Sequence, residues 1–301
     1  MSTPILHRWL AIAERAYQQA REYAKERIQG RLAGSKSGGA VAIIHHPDVR
    51  RMLMTMKAQI EAMRAFAYVM AADMDRAHRD PDVGERARRQ VRVDLLIPVL
   101  KAWCTELGVD IASMGVQVHG GMGYIEETGA CQFLRDARIA PIYEGTTGIQ
   151  AADLAGRKLA SDQGAGMADL VAEMRQVAQE LARSPDAQVA SVGTALAAGI
   201  QALDDATVWM LHALATQPDA ALASSVDYLM LTGYVCGGWQ MGRAALAASR
   251  KSAADEDPDF HHAKLATARF YADKILPKAN ALLETIRSGG STGSSLPIEQ
   301  F

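Results

Sequence analysis

Cysteine, aromatic residues and any excess of one charge are all scarce in this 301-residue chain, and each scarcity closes off a class of protein. Three cysteines occur, Cys104, Cys131 and Cys236, far apart and odd in number. That pattern supports neither a disulfide framework nor a zinc site, and it fits a reducing compartment. Aromatic residues make up 6%, while alanine and methionine are plentiful, a balance that suits closely packed helices better than sheets. A net charge of −2 lacks the basic surplus of a general nucleic-acid binder. The N-terminal stretch has no apolar signal core, because Arg8, Glu14 and Arg15 interrupt it. The most apolar later stretch, residues 226–241, carries Asp227 and several glycines, so no membrane span is expected and a cytoplasmic location is. Glu-x-x-His occurs nowhere, which removes the ligand motif of a ferritin-like di-iron bundle.

What is present reads as helix almost throughout. Residues 5–27 place Ile5, Trp9, Ile12, Ala16, Ala20 and Ala24 at helical spacing. After a Gly/Ser-rich loop at 30–39, helix resumes at Pro47-Asp48, with proline in the first turn and a helpful negative charge beside it. Met52, Met56, Ile60, Met63, Ala67 and Met70 form one face, which is read as core filling. Residues 81–84 break the chain, and a long helix follows over 85–118, with Pro98 as a kink candidate. Beyond Gly164-Ala165-Gly166 lie four more helical runs, at 167–183, 187–216, 220–250 and 260–287. The expected architecture is all-α: an antiparallel helical bundle over 1–163, an additional helical domain over 164–288, and a flexible tail over 289–301 on which Leu296, Ile298 and Phe301 are docking candidates.

Residues 120–147 interrupt the helical pattern and concentrate the chemistry. Gly120, Gly121, Gly123 and Gly129 lie within ten residues. Adjacent glycines after a helix serve either as a C-cap and turn or as a place where another group approaches the backbone closely. They are not a dinucleotide fingerprint, since no strand precedes them and the spacing differs. Glu144 stands after the largely apolar run Ala140-Pro141-Ile142-Tyr143 and just before a helix. It reads either as a helix-start carboxylate or as a desolvated base whose pKa is raised toward neutrality. The adjacent pairs His45-His46 and His261-His262 read as surface or helix-start residues, because neighbours in sequence do not face one ligand site, and no metal is expected.

Taken together, Gln117-Val118-His119-Gly120-Gly121-Met122-Gly123-Tyr124, Phe133-Leu134-Arg135-Asp136-Ala137-Arg138 and Ile142-Tyr143-Glu144-Gly145-Thr146-Thr147-Gly148-Ile149-Gln150 resemble the C-terminal signature of acyl-CoA dehydrogenases. Upstream, Tyr23-Ala24-Lys25-Glu26-Arg27 resembles that family's Tyr-x-x-x-Arg segment, and the likeness spans residues 11–159. The long loop and the added helical region are similar to a long-form subfamily that includes the 3-methylmercaptopropionyl-CoA dehydrogenases. The resemblance implies an FAD-dependent desaturation in which a glutamate takes the α-proton of an acyl-CoA thioester. Carried over residue by residue, it makes Glu144 the catalytic base and, with Gly145, a substrate contact. It makes Arg27 an FAD pyrophosphate ligand, with a solvated helix-end cation as the alternative, and Gln117, Gly120 and Gly121 contacts to FAD. Thr146 matches a residue near the flavin, with helix capping as the alternative. Arg135-Asp136 is read as a structural ion pair, and Gly148 departs from the Glu or Gln that many members carry there.

The resemblance also implies a helical domain and a β-domain that no segment of this sequence supplies. The expectation is therefore that the chain by itself neither holds FAD nor turns over acyl-CoA. It is then a fragment, a split-gene subunit or a remnant. Expected partners are acyl-CoA, further copies of the chain or a separately encoded N-terminal half, and an electron-transfer acceptor. The reading from a different class is a non-catalytic helical oligomerisation module.

Overall fold

The computed structural model describes residues 3–34, 39–251, 257–289, 292 and 295–300. Helices dominate, and among the described residues extended pairing is limited to an isolated antiparallel bridge between Ile28 and Ala42. The order is α1 (Thr3–Glu26), α2 (Pro47–Arg79), α3 (Val83–His119), α4 (Gly121–Tyr124), α5 (Ala130–Arg138) and α6 (Thr147–Ala152). The last of these continues as a π-helical stretch, Asp153–Leu159. Then come α7 (Ala165–Ala182), α8 (Ala187–Thr216), α9 (Pro218–Ala223), α10 (Ser225–Lys251), α11 (Pro258–Lys274) and α12 (Lys278–Gly289). Two compact units emerge, one of residues 1–61 and 104–143, the other of 62–103 and 144–301.

In the first unit small residues let helices approach closely. Ala13, Ala16, Ala20 and Ala24 of α1 are buried, and Ala16 clusters with Ala112 of α3 and Ala137 of α5. Ile12, Val109, Phe133 and Leu134 pack against that cluster. At the end of α1 the chain closes a short clasp: Gln29 N–H donates to Val41 O, Val41 N–H to Gly30 O, and Ile43 N–H to Arg27 O, all within 2.8–3.0 Å. The His46 ring braces it by donating from Nε2 to the Gln29 carbonyl at 2.7 Å. Residues 35–38 of the Gly/Ser loop lie outside the described residues.

The second unit is built around a large aromatic. Trp103 is fully buried, edge-on to Phe66 and to Tyr234 at centroid distances of 6.3 and 6.1 Å. Helix α8 packs on α7, α10, α11 and α12. Tyr271 Oη donates to the Tyr234 carbonyl at 2.9 Å, and Thr207 and Tyr228 share a buried hydroxyl pair. The methionine face of α2 is core as expected, with Met52 and Met56 buried in the first unit and Met63 and Met70 buried in the second. Helix α3 continues through Pro98.

Two expected runs are each split. The run over 220–250 breaks at Ser224, whose φ −90 and ψ −1 end α9. The run over 260–287 breaks at Ile275-Leu276-Pro277, because proline lacks an N–H and disfavours helix in the residue before it. Ile275 and Leu276 are buried there, so tertiary packing holds the break in place. In the tail, Phe301 lies outside the described residues, and Leu296 and Ile298 are exposed rather than docked.

Candidate functional site

The chain reaches Glu144 through a tight turn. Ala140 and Pro141 are buried, and the N–H groups of Ile142 and Tyr143 both donate to Ile139 O, at 3.0 and 3.1 Å. The Tyr143 ring sits edge-on to Trp9 at 5.2 Å. Glu144 then takes φ +54 and Gly145 φ +92. Two consecutive left-handed residues are unusual, and for a residue with a side chain the conformation costs roughly 1–2 kcal/mol. Glycine at 145 is required twice over, since besides its φ a Cβ there would lie 2.7 Å from Gln150 Nε2.

Two side chains outside the turn hold it. Gln150 Nε2 donates to the Glu144 carbonyl at 3.2 Å, and Lys101 Nζ donates to the Gly145 carbonyl at 2.6 Å. Lys101 is only 2% exposed. Thr146 is the N-cap of α6, its Oγ1 accepting from Ile149 N–H at 3.3 Å. The capping alternative for Thr146 is thus realised in the structure. Within this chain the Glu144 carboxylate is exposed rather than desolvated. The apolar run fails to enclose it because Ile142 is itself 46% exposed.

The other predicted site residues lie in the first unit, at the C-terminal ends of α1 and α3. Those ends are neighbours, since the Tyr23 ring stacks on His119 at 4.4 Å. His119 is buried. Its Nδ1–H donates to the Gly115 carbonyl at 2.7 Å, and its Nε2 is buried without a hydrogen-bond partner. Arg27 is exposed, with one 3.3 Å contact from Nη2 to Gln29 Oε1. Gln117 is exposed, and its carbonyl accepts from Gly120 N–H at 3.0 Å. Gly120 turns the chain with φ +61.

The four glycines differ in kind. A Cβ at Gly123 would lie 2.3 Å from the Val116 carbonyl oxygen, so this glycine lets α4 fold back on the end of α3. At Gly120 and Gly121 a Cβ would meet nothing within 4 Å. Arg135 is paired with Glu126 at 2.7 Å, whereas Asp136 accepts from Gln132. This corrects the expected Arg135–Asp136 pair: residues adjacent in a helix do not face each other.

Sequence reading assigned no part to Lys101 or Gln150. For Lys101 the signal was a lone cation inside the apolar stretch Ile97-Pro98-Val99-Leu100-Lys101-Ala102-Trp103. A groove of about 930 Å³ in the second unit, lined by residues including Arg88, Arg92, Asp162, Asp169 and Glu173, contains none of the predicted site residues. Among the described residues no group of three His, Cys, Asp or Glu side chains is placed to hold a metal, and no helix is long and apolar enough to cross a membrane.

Comparison with known proteins draws these features together. Residues 3–159 match the family description "Acyl-CoA dehydrogenase, C-terminal domain", and residues 170–297 match "Acetyl-CoA dehydrogenase C-terminal like". The chain is 45% identical to 3-methylmercaptopropionyl-CoA dehydrogenase of Ruegeria pomeroyi over 94% of its length and 48% of that protein's. Among solved structures, Caenorhabditis elegans ACDH-11 in complex with C11-CoA superposes with a TM-score of 0.71 at 18% identity, covering 90% of this chain and 42% of that one. Bacillus anthracis acyl-CoA dehydrogenase complexed with FAD gives 0.70 at 17%, covering 94% and 47%. The chain thus spans about half the length of the relatives it matches. By the match over residues 3–159, it belongs to the acyl-CoA dehydrogenase family and corresponds to that family's C-terminal helical part.

Proposed function

We propose that this chain supplies the catalytic base and part of the cofactor contacts of an FAD-dependent acyl-CoA dehydrogenase, completed by an N-terminal half of the kind its relatives carry. The observation that carries this reading is the left-handed, exposed Glu144 followed by left-handed Gly145. A strained non-glycine residue on the surface contributes nothing to packing, and such strain clusters at functional positions. Glu144 takes the proton from the α-carbon of the acyl-CoA thioester, and Gly145 is a second substrate contact, through its backbone. A carboxylate open to solvent in this chain alone becomes an effective base once a partner domain and substrate exclude water from it.

The first-unit residues fit a flavin nucleotide. Gly120 and Gly121 leave open the space that a side chain would occupy, and Arg27 presents an exposed guanidinium suited to a diphosphate. Gln117, on the last turn of α3, adds an exposed amide. Thr146 is a separate flavin contact that the family resemblance offers. These residues would hold FAD, which would supply the acceptor for the hydride of the β-carbon in an α,β-desaturation. The relatives named for 3-methylmercaptopropionyl-CoA and complexed with C11-CoA support an acyl-CoA thioester as the substrate class.

The test is Glu144→Gln in the flavin-loaded assembly. Gln keeps the shape and loses the ability to accept a proton. Flavin should remain bound, while its bleaching by acyl-CoA slows about a hundred- to ten-thousandfold. Bleaching at the parent rate would show that the base is another residue.

A further inference from the structure

The turn that presents Glu144 is held by side chains that the family reading leaves without a role. Glu144 and Gly145 are consecutive left-handed residues, and each of their carbonyl oxygens is taken by a different donor. Gln150 Nε2 reaches the Glu144 oxygen from α6 at 3.2 Å. Lys101 Nζ reaches the Gly145 oxygen from α3 at 2.6 Å, forty-four residues away in sequence. A lysine 2% exposed is costly to bury unless its ammonium is well partnered, and here a loop carbonyl is one of the partners it takes. Gln150 also packs where a side chain at 145 would stand, so it fills the space beside the turn as well as bonding to it.

The geometry points to Lys101 and Gln150 as positioning residues for the base: together they lock the two peptides that follow Glu144, one leaving its own Cα and the next fixing the left-handed Gly145 behind it. This inference rests on the reading of Glu144 as base. A peptide carbonyl free to rotate would let the turn relax toward ordinary backbone, carrying the carboxylate away from its working position. Displacement of a reacting group by about 1 Å is enough to cost on the order of a hundredfold in rate.

The experiment uses the full chain carrying Lys101→Met or Gln150→Leu, each of which keeps bulk and removes the donor. On the chain alone, hydrogen exchange of the amides from Gly145 to Ile149 should rise at least about tenfold, with exchange around Trp103 unchanged. In the flavin-loaded assembly, the rate of flavin bleaching per bound flavin should fall about ten- to a hundredfold, with KM for acyl-CoA within about threefold of the parent. Lys101→Gln, an uncharged donor, should recover much of the rate lost in Lys101→Met. A purely structural part would instead lower the folded or flavin-bound fraction and leave the rate per bound flavin untouched, which would overturn the proposal. Gln150 is only half-buried, so Gln150→Leu still decides the matter if Lys101→Met does not fold. Should Glu144→Gln abolish bleaching while both donor variants bleach at the parent rate, the positioning role falls and the base assignment stands. Parent-rate bleaching by Glu144→Gln overturns both.

Discussion

On α10, a Cβ added at Gly233 would lie 2.2 Å from Trp103 Cγ, and one at Gly237 would lie 2.4 Å from the Tyr271 hydroxyl, whereas at Gly120 and Gly121 it would meet nothing within 4 Å. The same residue type answers two different needs. In the second unit, glycine is the absence of a side chain that a large aromatic demands, and the core closes over it. At the end of α3 the space is left open: Gly120 is accounted for by its φ of +61, but Gly121 has no left-handed φ and nothing stands where its side chain would go. A crowded glycine is explained by its own fold. Gly121, open and without a left-handed φ, asks for something from outside it.

The largest expected effect is on the crowded side. Gly233→Ala should destabilise the chain by about 3 kcal/mol or more, since neither the indole nor the helix backbone can yield the space. Trp103→Ala should cost about 3–5 kcal/mol through the cavity it leaves. Because the two changes act on the same contact, the double variant should lose clearly less than the sum of the two. Urea midpoints at constant slope measure all three. Strict additivity would mean that Gly233 is not there to make room for Trp103, and the comparison would collapse.

A smaller effect of opposite sign is expected at Glu144, a residue with a side chain standing where glycine would be at ease. Replacing it by glycine removes the left-handed penalty and adds glycine's entropy loss, for a net gain of about 0.5–1 kcal/mol. The same urea titration reads it. A loss of stability in Glu144→Gly would mean that the carboxylate has a structural part within the chain, and the strain argument for a functional one would fail.

Much of this was legible in the sequence because it depends on local periodicity and on motif. Met52, Met56, Met63 and Met70 repeat at helical spacing and are buried, and the bounds of α2, α3 and α8 fall within two residues of where spacing and breakers place them. The splits at Ser224 and at Ile275-Leu276-Pro277 were not read, although Pro277 is a plain breaker, because apolar residues on both sides continue the helical pattern across it. The turn at Glu144-Gly145 was legible as a site by its motif, but its clamp was not. Lys101 lies forty-four residues from the carbonyl it bonds, and no spacing rule links them. The exposure of the carboxylate was hidden for a similar reason: an apolar run suggests enclosure, yet only the fold decides that Ala140 and Pro141 turn inward while Ile142 stays out.

The smallest effect on stability is expected at Gly121, and it sharpens the comparison within a single turn of chain. Its φ is not among the left-handed values, and no atom stands where a Cβ would go. Gly121→Ala should therefore leave stability within about 0.5 kcal/mol of the parent. Two residues on, Gly123→Ala would drive a Cβ to 2.3 Å from the Val116 oxygen and should cost about 1–3 kcal/mol. Fold alone predicts that the harmless variant is harmless in every assay. The flavin reading predicts otherwise, because a methyl group at 121 would occupy space kept for the cofactor. In the completed assembly, Gly121→Ala should then lose FAD at least several-fold more readily than the parent, measured by flavin fluorescence released on dilution. Flavin retention equal to the parent's, in a variant of parental stability, would leave the open glycine without a ligand to explain it and would remove Gly121 from the cofactor site.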